Sequence, residues 1–172
     1  VYLKNRKLEE EDYLDNYLDD LKKNILFITD GPKPYENLFH LINLEDYGDI
    51  QYISEKVYLK SFREESDTCV HCFKAVDKKT KKEVFIEVYD PDPAKLIKIY
   101  TNIKGYAAQS SLNHNGIVKM LGFRYPLTEK EKRQTKLNKI QIVKDKTKQK
   151  VDLTGFIFVF EYIKNGGVDE LM

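Results

Sequence analysis

The sequence predicts an α+β fold, in which a five-stranded antiparallel sheet with one helix after its third strand follows a helical amino-terminal extension. Apolar residues recur at helical spacing near the start of the chain, whereas the segments after residue 49 are rich in β-branched and aromatic residues separated by polar turns. The 172 residues, 41 % of them hydrophobic, suffice for one domain with an appendage. We expect the extension to cover residues 1–48 and the sheet domain residues 49–172.

The spacing of apolar residues in the extension predicts a helix over about residues 7–26. Its apolar stripe consists of Leu14, Leu18, Leu21 and Ile25. Acidic residues 9–12 begin the helix while Lys22 and Lys23 lie near its end, which suits the helix dipole. Residues 30–34 contain glycine and prolines that end the helix, and residues 35–44 are expected to form a short second helix. The stripe either packs on its own domain or binds a partner or coiled coil, and the heptads are too few to decide.

The sheet domain is read from five strand-like segments. They are residues 51–60, 69–76, 83–89, 116–127 and 154–163. The first three are expected to form a meander, with residues 77–82 as a polar turn. A helix is expected from about Pro93 to Ser110, since proline suits the first turn of a helix.

A basic insertion, residues 128–152, separates the last two strands. Residues 129–150 carry nine basic and three acidic side chains, and we expect no core to be built from them. Residues 139–143 are expected to form a hairpin with residues 150–153. This basic loop is either solvated or contacts an acidic partner or nucleic acid.

Composition argues against several classes of protein. With 29 basic and 28 acidic side chains the net charge is +1, so no overall field draws the chain to nucleic acid or a membrane. Two cysteines do not make a disulfide framework, and no segment resembles a signal peptide or a long apolar span. We expect a cytoplasmic protein with no membrane association and no nucleic-acid partner.

Three stretches resemble protein kinases, each at the spacing of that family. Residues 74–87 are similar to its second strand, turn and V-A-I-K strand, residues 112–122 to its L-x-H-P-N-I-V-x-L-x-G run, and residues 158–167 to its L-V-F-E-Y-x-x-N-G-S strand and hinge. The resemblance covers about residues 51–172. It implies an amino-terminal kinase lobe with the regulatory helix after the third strand, and the second lobe of that family is absent from this chain. It places the hinge at Glu161, Tyr162 and Ile163.

The departures from that family fall on the groups that bind ATP. The V-A-I-K lysine corresponds to Glu87, and its partner glutamate on the regulatory helix to Gly105. The three glycines of the phosphate-binding loop correspond to Glu65, Asp67 and Val70. Glycine lets backbone N–H groups approach phosphate closely, whereas these side chains obstruct that approach and two are anionic. The resemblance therefore implies a degenerate nucleotide site without ATP or magnesium as a cofactor.

The adenine position also looks filled. The alanine of V-A-I-K corresponds to Phe85 and the gatekeeper to Phe160. We expect Phe85 to pack where the base would lie, with Phe160 behind it, although an outward Phe85 would leave the space open.

An inward-pointing Glu87 needs a cation, because an unpaired buried charge costs several kcal/mol. Lys74, Lys98 or Lys104 could supply it. Kinases of the with-no-lysine type instead recruit a lysine from a neighbouring strand, a role open here to Lys60 or Lys74.

Cys69, His71 and Cys72 resemble metal ligands, but strand alternation sends Cys69 and His71 to one face and Cys72 to the other. No second pair at zinc-like spacing exists. We expect a core thiol, an ordinary histidine and no metal.

These observations favour a pseudokinase module, with no catalytic residues, that acts as a protein-binding scaffold or regulatory component. Its expected contact surfaces are the apolar stripe, the helix at residues 95–109 and the basic loop. Two alternatives stay open. One is the amino-terminal fragment of an active, divergent protein kinase that uses ATP and magnesium, and the other is a lobe held in a larger assembly.

Overall fold

The computed structural model describes residues 41–60, 62, 66–91, 116, 118–144 and 146–163. Several sequence predictions lie outside these residues. They are the apolar stripe (Leu14, Leu18, Leu21, Ile25), the helix at residues 93–110, Glu65, Gly105, Lys98 and Lys104. Among the described residues, no helix is long and apolar enough to cross a membrane.

The described part of the chain contains seven strands and one short α-helix. In chain order they are β1 (Tyr47–Tyr58), β2 (Thr68–Asp77), β3 (Glu83–Tyr89), β4 (Met120–Arg124), α1 (Glu129–Gln134), β5 (Lys139–Lys144), β6 (Thr147–Asp152) and β7 (Ile157–Glu161). A 3-10 turn, Leu44–Asp46, precedes β1. The predicted helix over residues 35–44 is wrong at its carboxyl end, because Leu41 forms a bridge with Phe123 and the Asn43 side chain caps the 3-10 turn.

Five strands form one antiparallel sheet in the order β1-β2-β3-β7-β4, and β5 and β6 form a separate hairpin. The predicted five-stranded antiparallel sheet of an α+β protein is therefore confirmed. The fourth and fifth strands are shorter than predicted. The predicted hairpin is also confirmed, with Lys139 opposite Asp152, although β6 begins three residues earlier than expected.

Successive residues of a strand point to opposite sides of the sheet, so the sheet has two buried faces. The two faces differ in the kind of side chain that they bury. We call one the aromatic face; its buried members are Val70, Tyr89, Met120, Phe123, Phe156, Phe158 and Phe160. We call the other the aliphatic face; its buried members are Ile42, Leu44, Tyr47, Phe73, Ala75, Val84, Ile86, Val88, Ile142, Val151, Leu153, Ile157 and Val159.

The expectation that residues 129–150 build no core is wrong. Ile142 is buried in the aliphatic face, where Leu137 and Ile140 also pack, beside Val151 at the end of the insertion and Leu153 just after it. Alternation along the β5–β6 hairpin turns these apolar residues inward. Lys139, Lys148 and Lys150 of the same hairpin are exposed, so a basic segment still contributes to the core.

The insertion also contains a helix that the sequence analysis missed. Thr128 accepts a hydrogen bond from the Glu131 N–H, and the Glu131 carboxylate accepts one from the Thr128 N–H, which completes a capping box at the start of α1. The Thr-x-x-Glu spacing was the available signal, but this six-residue helix buries no side chain and so leaves no apolar periodicity.

The connection between the hairpin and β7 is held closely against the sheet. The Arg124 guanidinium donates to the carbonyl oxygens of Leu153 and Gly155, and burial lowers the Arg124 pKa to about 10 despite nearby carboxylates. A Cβ atom on Gly155 would overlap the Tyr89 carbonyl oxygen and lie 3.1 Å from Pro91 N. Glycine is thus required there for the close approach of two backbones.

Candidate functional site

The strand register brings four of the predicted site residues onto the aromatic face. Phe85 lies opposite Phe160 of β7, and Glu87 opposite Phe158, while Val70 of β2 lies opposite Tyr89 at the end of β3. Val70 and Phe160 are both buried in this aromatic cluster. These four positions, which the kinase resemblance assigns to the nucleotide site, therefore share one surface.

Phe85 packs into this surface rather than away from it. Its ring is half-buried against the aromatic cluster that contains its cross-strand neighbour Phe160. Aromatic side chains bury roughly 150–250 Å² each, so this packing alone gives both residues a structural reason to be large. Core packing alone therefore accounts for the positions of Phe85 and Phe160, without a binding pocket between them.

Glu87 is a buried carboxylate with a lysine beside it. Its side chain is 6 % exposed, and the Lys56 ammonium of β1 donates to it at 3.2 Å while lying 5.4 Å from the Phe85 ring centroid. Burial by itself lowers the Lys56 pKa, but the negative charge of Glu87 and its hydrogen bond contribute to a net increase in that pKa. Glu87 therefore points inward, and the cation that this orientation requires is Lys56.

Lys74, one of the cations expected to pair with Glu87, points elsewhere. Its ammonium lies 3.1 Å from a Glu83 carboxylate oxygen and 4.8 Å from the Tyr162 ring centroid. The sequence analysis missed Lys56 because a register shift in β1 between Tyr52 and Ser54 exchanges the faces of the residues that follow. A bulge reverses the alternation without leaving a signal in the apolar pattern.

Cys72 lies opposite Glu87 on the neighbouring strand and is fully buried. Burial raises the pKa of its thiol to about 11, with Glu87 adding to the increase and Lys56 opposing it. The thiol is therefore protonated near neutral pH and has little nucleophilic character. The sequence prediction of a core thiol is confirmed for this cysteine.

The turn between β1 and β2 occupies the place that the resemblance gives to the phosphate-binding loop. The Asp67 carboxylate accepts the Lys60 backbone N–H at 2.6 Å. The Lys60 N–H is thus already hydrogen-bonded within the protein, and its acceptor is the anionic side chain of Asp67. Leu59 and Phe62, in the same turn, are both exposed.

The predicted hinge begins at the last residue of β7. Glu161 anchors it twice, because its N–H donates to the Lys119 carbonyl at 3.0 Å and its carboxylate accepts the Lys119 N–H at 2.9 Å. Tyr162 lies beneath the Lys74 ammonium, and Ile163 is exposed. These three residues lie at the end of the strand that carries Phe160.

A second cluster of reactive groups lies on the opposite side of β2. Cys69 Sγ and His71 Nε2 are 3.7 Å apart, and with a Glu55 carboxylate oxygen they lie within 4.8 Å of one another. The predicted separation of Cys69 and His71 from Cys72 is confirmed. The sequence analysis missed Glu55, which the register places directly opposite His71.

Comparison of the chain with family models, with curated proteins and with solved structures finds no match.

Proposed function

We propose that this chain is a catalytically inactive, kinase-like module that acts through protein contacts as a scaffold or regulatory component. The observation that carries the proposal is the buried Glu87 on the aromatic face, at the position that the kinase resemblance assigns to the ATP-binding lysine. The five-stranded antiparallel sheet and the order of its motif-bearing segments support the resemblance on which this assignment depends.

The electrostatics of this face oppose a triphosphate. Two like unit charges about 4 Å apart repel by roughly 1 kcal/mol in water and roughly 4 kcal/mol at an effective dielectric of about 20. Lys56 offsets the charge of Glu87, but its ammonium is then occupied by that carboxylate. Asp67 adds a second anion in the turn where phosphate oxygens would meet backbone N–H groups.

Packing opposes the base as well. Phe85 and Phe160 are cross-strand neighbours on the aromatic face, and Phe160 is buried there. To admit a planar base between them, the cluster would have to open and expose apolar surface. The loss of roughly 25 cal/mol for each Å² so exposed would count against binding.

A role in protein contact is supported by the described surface. Ile53, Val57, Leu59 and Phe62 expose apolar side chains along β1 and the turn after it. The β5–β6 hairpin presents Lys139, Lys148 and Lys150 to solvent. Apolar side chains grouped and exposed on an edge strand of a sheet are typical of surfaces that bind other proteins. The site of action proposed with this role is the cytoplasm.

Titration with a fluorescent ATP analogue, with and without magnesium, tests the proposal. We expect no magnesium-dependent binding by the wild-type chain up to millimolar nucleotide. The double substitution Glu87→Lys with Phe85→Ala restores the cation and vacates the ring, so it is the matched comparison and is expected to bind more tightly than wild type. Micromolar, magnesium-dependent binding by the wild type would overturn the proposal.

The position of Lys56 favours a second candidate, an active but divergent kinase. A lysine from another strand reaches the place where the V-A-I-K lysine is expected, as in kinases of the with-no-lysine type, although neither Lys60 nor Lys74 is the residue that does so. In that case Lys56→Met would abolish nucleotide binding present in the wild type. The same titration therefore separates the two candidates.

A further inference from the structure

We propose that Glu55, Cys69 and His71 form a binding site for a thiophilic divalent cation of the zinc type, with the fourth coordination position open to water or an added ligand. The site lies on the opposite side of β2 from Glu87 and Cys72, so it does not depend on the proposed function. Each of the three side chains is partly buried and so can be reached from solvent.

The separation of the donor atoms fits tetrahedral coordination. With zinc–sulfur and zinc–nitrogen distances of about 2.3 Å and 2.0 Å, a tetrahedral angle places sulfur and nitrogen about 3.5 Å apart. Cys69 Sγ and His71 Nε2 lie 3.7 Å apart. The Glu55 carboxylate completes a group in which all donor atoms lie within 4.8 Å of one another.

The backbone holds these donors in place before any ion binds. Cys69 and His71 are two residues apart on β2 and so share one face, while Glu55 lies directly opposite His71 on β1. Cross-strand neighbours have Cβ atoms about 4.5–5.5 Å apart, which suits bridging by a single ion. The Tyr52 ring lies 6.2 Å from the His71 ring and contacts Phe73 edge-on, so it forms an apolar wall beside the imidazole.

The donor chemistry selects among metals. Thiolate and imidazole ligands favour zinc and related transition metals over magnesium and calcium, which prefer oxygen ligands in larger number. Three protein ligands with one open position are the arrangement of accessible rather than purely structural zinc sites. Binding requires deprotonation of the Cys69 thiol, so affinity should rise with pH as a proton is released.

Cobalt(II) titration of the full 172-residue chain is the direct test, because cobalt reports thiolate ligation by its near-ultraviolet charge-transfer absorption and tetrahedral geometry by its visible bands. We expect one equivalent to bind with both signals and to be displaced by zinc. Cys69→Ala should abolish the thiolate band, and His71→Ala and Glu55→Gln should each weaken binding by about 10-fold or more, the lower end of the range seen when groups supporting a metal are lost.

Cys72→Ala is the matched control, since it removes a thiol from the same strand but from the opposite face. It should leave the cobalt spectrum unchanged. Circular dichroism of every variant identifies loss of folding as a separate effect. A wild-type chain without a thiolate band, or equal loss of the band in the folded Cys72→Ala and Cys69→Ala variants, would overturn the proposal.

Thiol labelling gives a second readout that needs no spectroscopic metal. In the Cys72→Ala variant the remaining thiol is Cys69, and we expect zinc to slow its reaction with a maleimide by about 10-fold or more, because a ligating thiolate is unavailable as a nucleophile. Adding His71→Ala should remove most of this protection. Labelling that zinc does not slow in the folded Cys72→Ala variant would contradict the site.

Discussion

Replacing Lys56 by methionine should destabilise the protein by about 2 kcal/mol, a value between those of an exposed and of a fully buried ion pair. Exposed ion pairs contribute about 0.2–1 kcal/mol, whereas removing one partner of a fully buried pair costs about 3–5 kcal/mol. Here the carboxylate of Glu87 is 6 % exposed and the ammonium of Lys56 is 49 % exposed, at an N–O distance of 3.2 Å. Solvent screens the lysine but not the glutamate, so an intermediate value follows.

Urea denaturation at pH 7, followed by circular dichroism, measures this loss. Lys74→Met is the matched control, because Lys74 also pairs with a glutamate at 3.1 Å, but that partner, Glu83, is 48 % exposed rather than buried. We expect the control to cost less than about 1 kcal/mol. Methionine keeps most of the apolar length of lysine, so the difference between the two variants reports the charge.

Adding Glu87→Gln to Lys56→Met should recover part of the stability, since the amide has no buried charge to compensate. The double-mutant cycle is expected to give a coupling energy of about 1–2 kcal/mol. A Lys56→Met variant within about 0.5 kcal/mol of wild type, or no less stable than Lys74→Met, would refute this account of the aromatic face.

Three further predictions concern Gly155, the β5–β6 hairpin and Cys72. Gly155→Ala should cost about 1–3 kcal/mol in urea denaturation, because the added Cβ overlaps the Tyr89 carbonyl. Ile142→Ala should cost about 2–5 kcal/mol if the hairpin packs as described, whereas Lys148→Ala on its exposed side should change stability by less than about 0.5 kcal/mol. Burial raises the Cys72 pKa from 9.0 to about 11, so the contribution of the protonated thiol to the free energy of unfolding is fully present below pH 9. The free energy of unfolding should fall by on the order of 2 kcal/mol between pH 9 and pH 11 for this reason, and the Cys72→Ala variant should not show this loss.

The elements of the sheet were predictable because local patterns specify them. Apolar and β-branched runs separated by polar turns located all five sheet strands and the β5–β6 hairpin, although strand ends were misplaced by several residues. Alternation also assigned Cys69 and His71 to the face opposite Cys72. The capping box at Thr128 was equally local, but without an apolar stripe it was overlooked.

The candidate site was predictable only in part. Phe85 and Phe160 came from matching positions in the resemblance, and the strand register makes them neighbours. The cation beside Glu87 and the third member of the Cys69–His71 cluster were both missed. Lys56 and Glu55 belong to β1, beyond the register shift after Tyr52, so their partners depend on a bulge.

The sequence by itself determined which segments form strands and turns, because side-chain periodicity and turn chemistry act between residues close together in the chain. Only the tertiary structure decided that Lys56 neutralises Glu87, that Ile142 of a lysine-rich insertion enters the core, and that Glu55 joins Cys69 and His71. Those contacts depend on strand order and on a one-residue shift of register, and such a shift exchanges the two faces of a strand while leaving its composition unchanged.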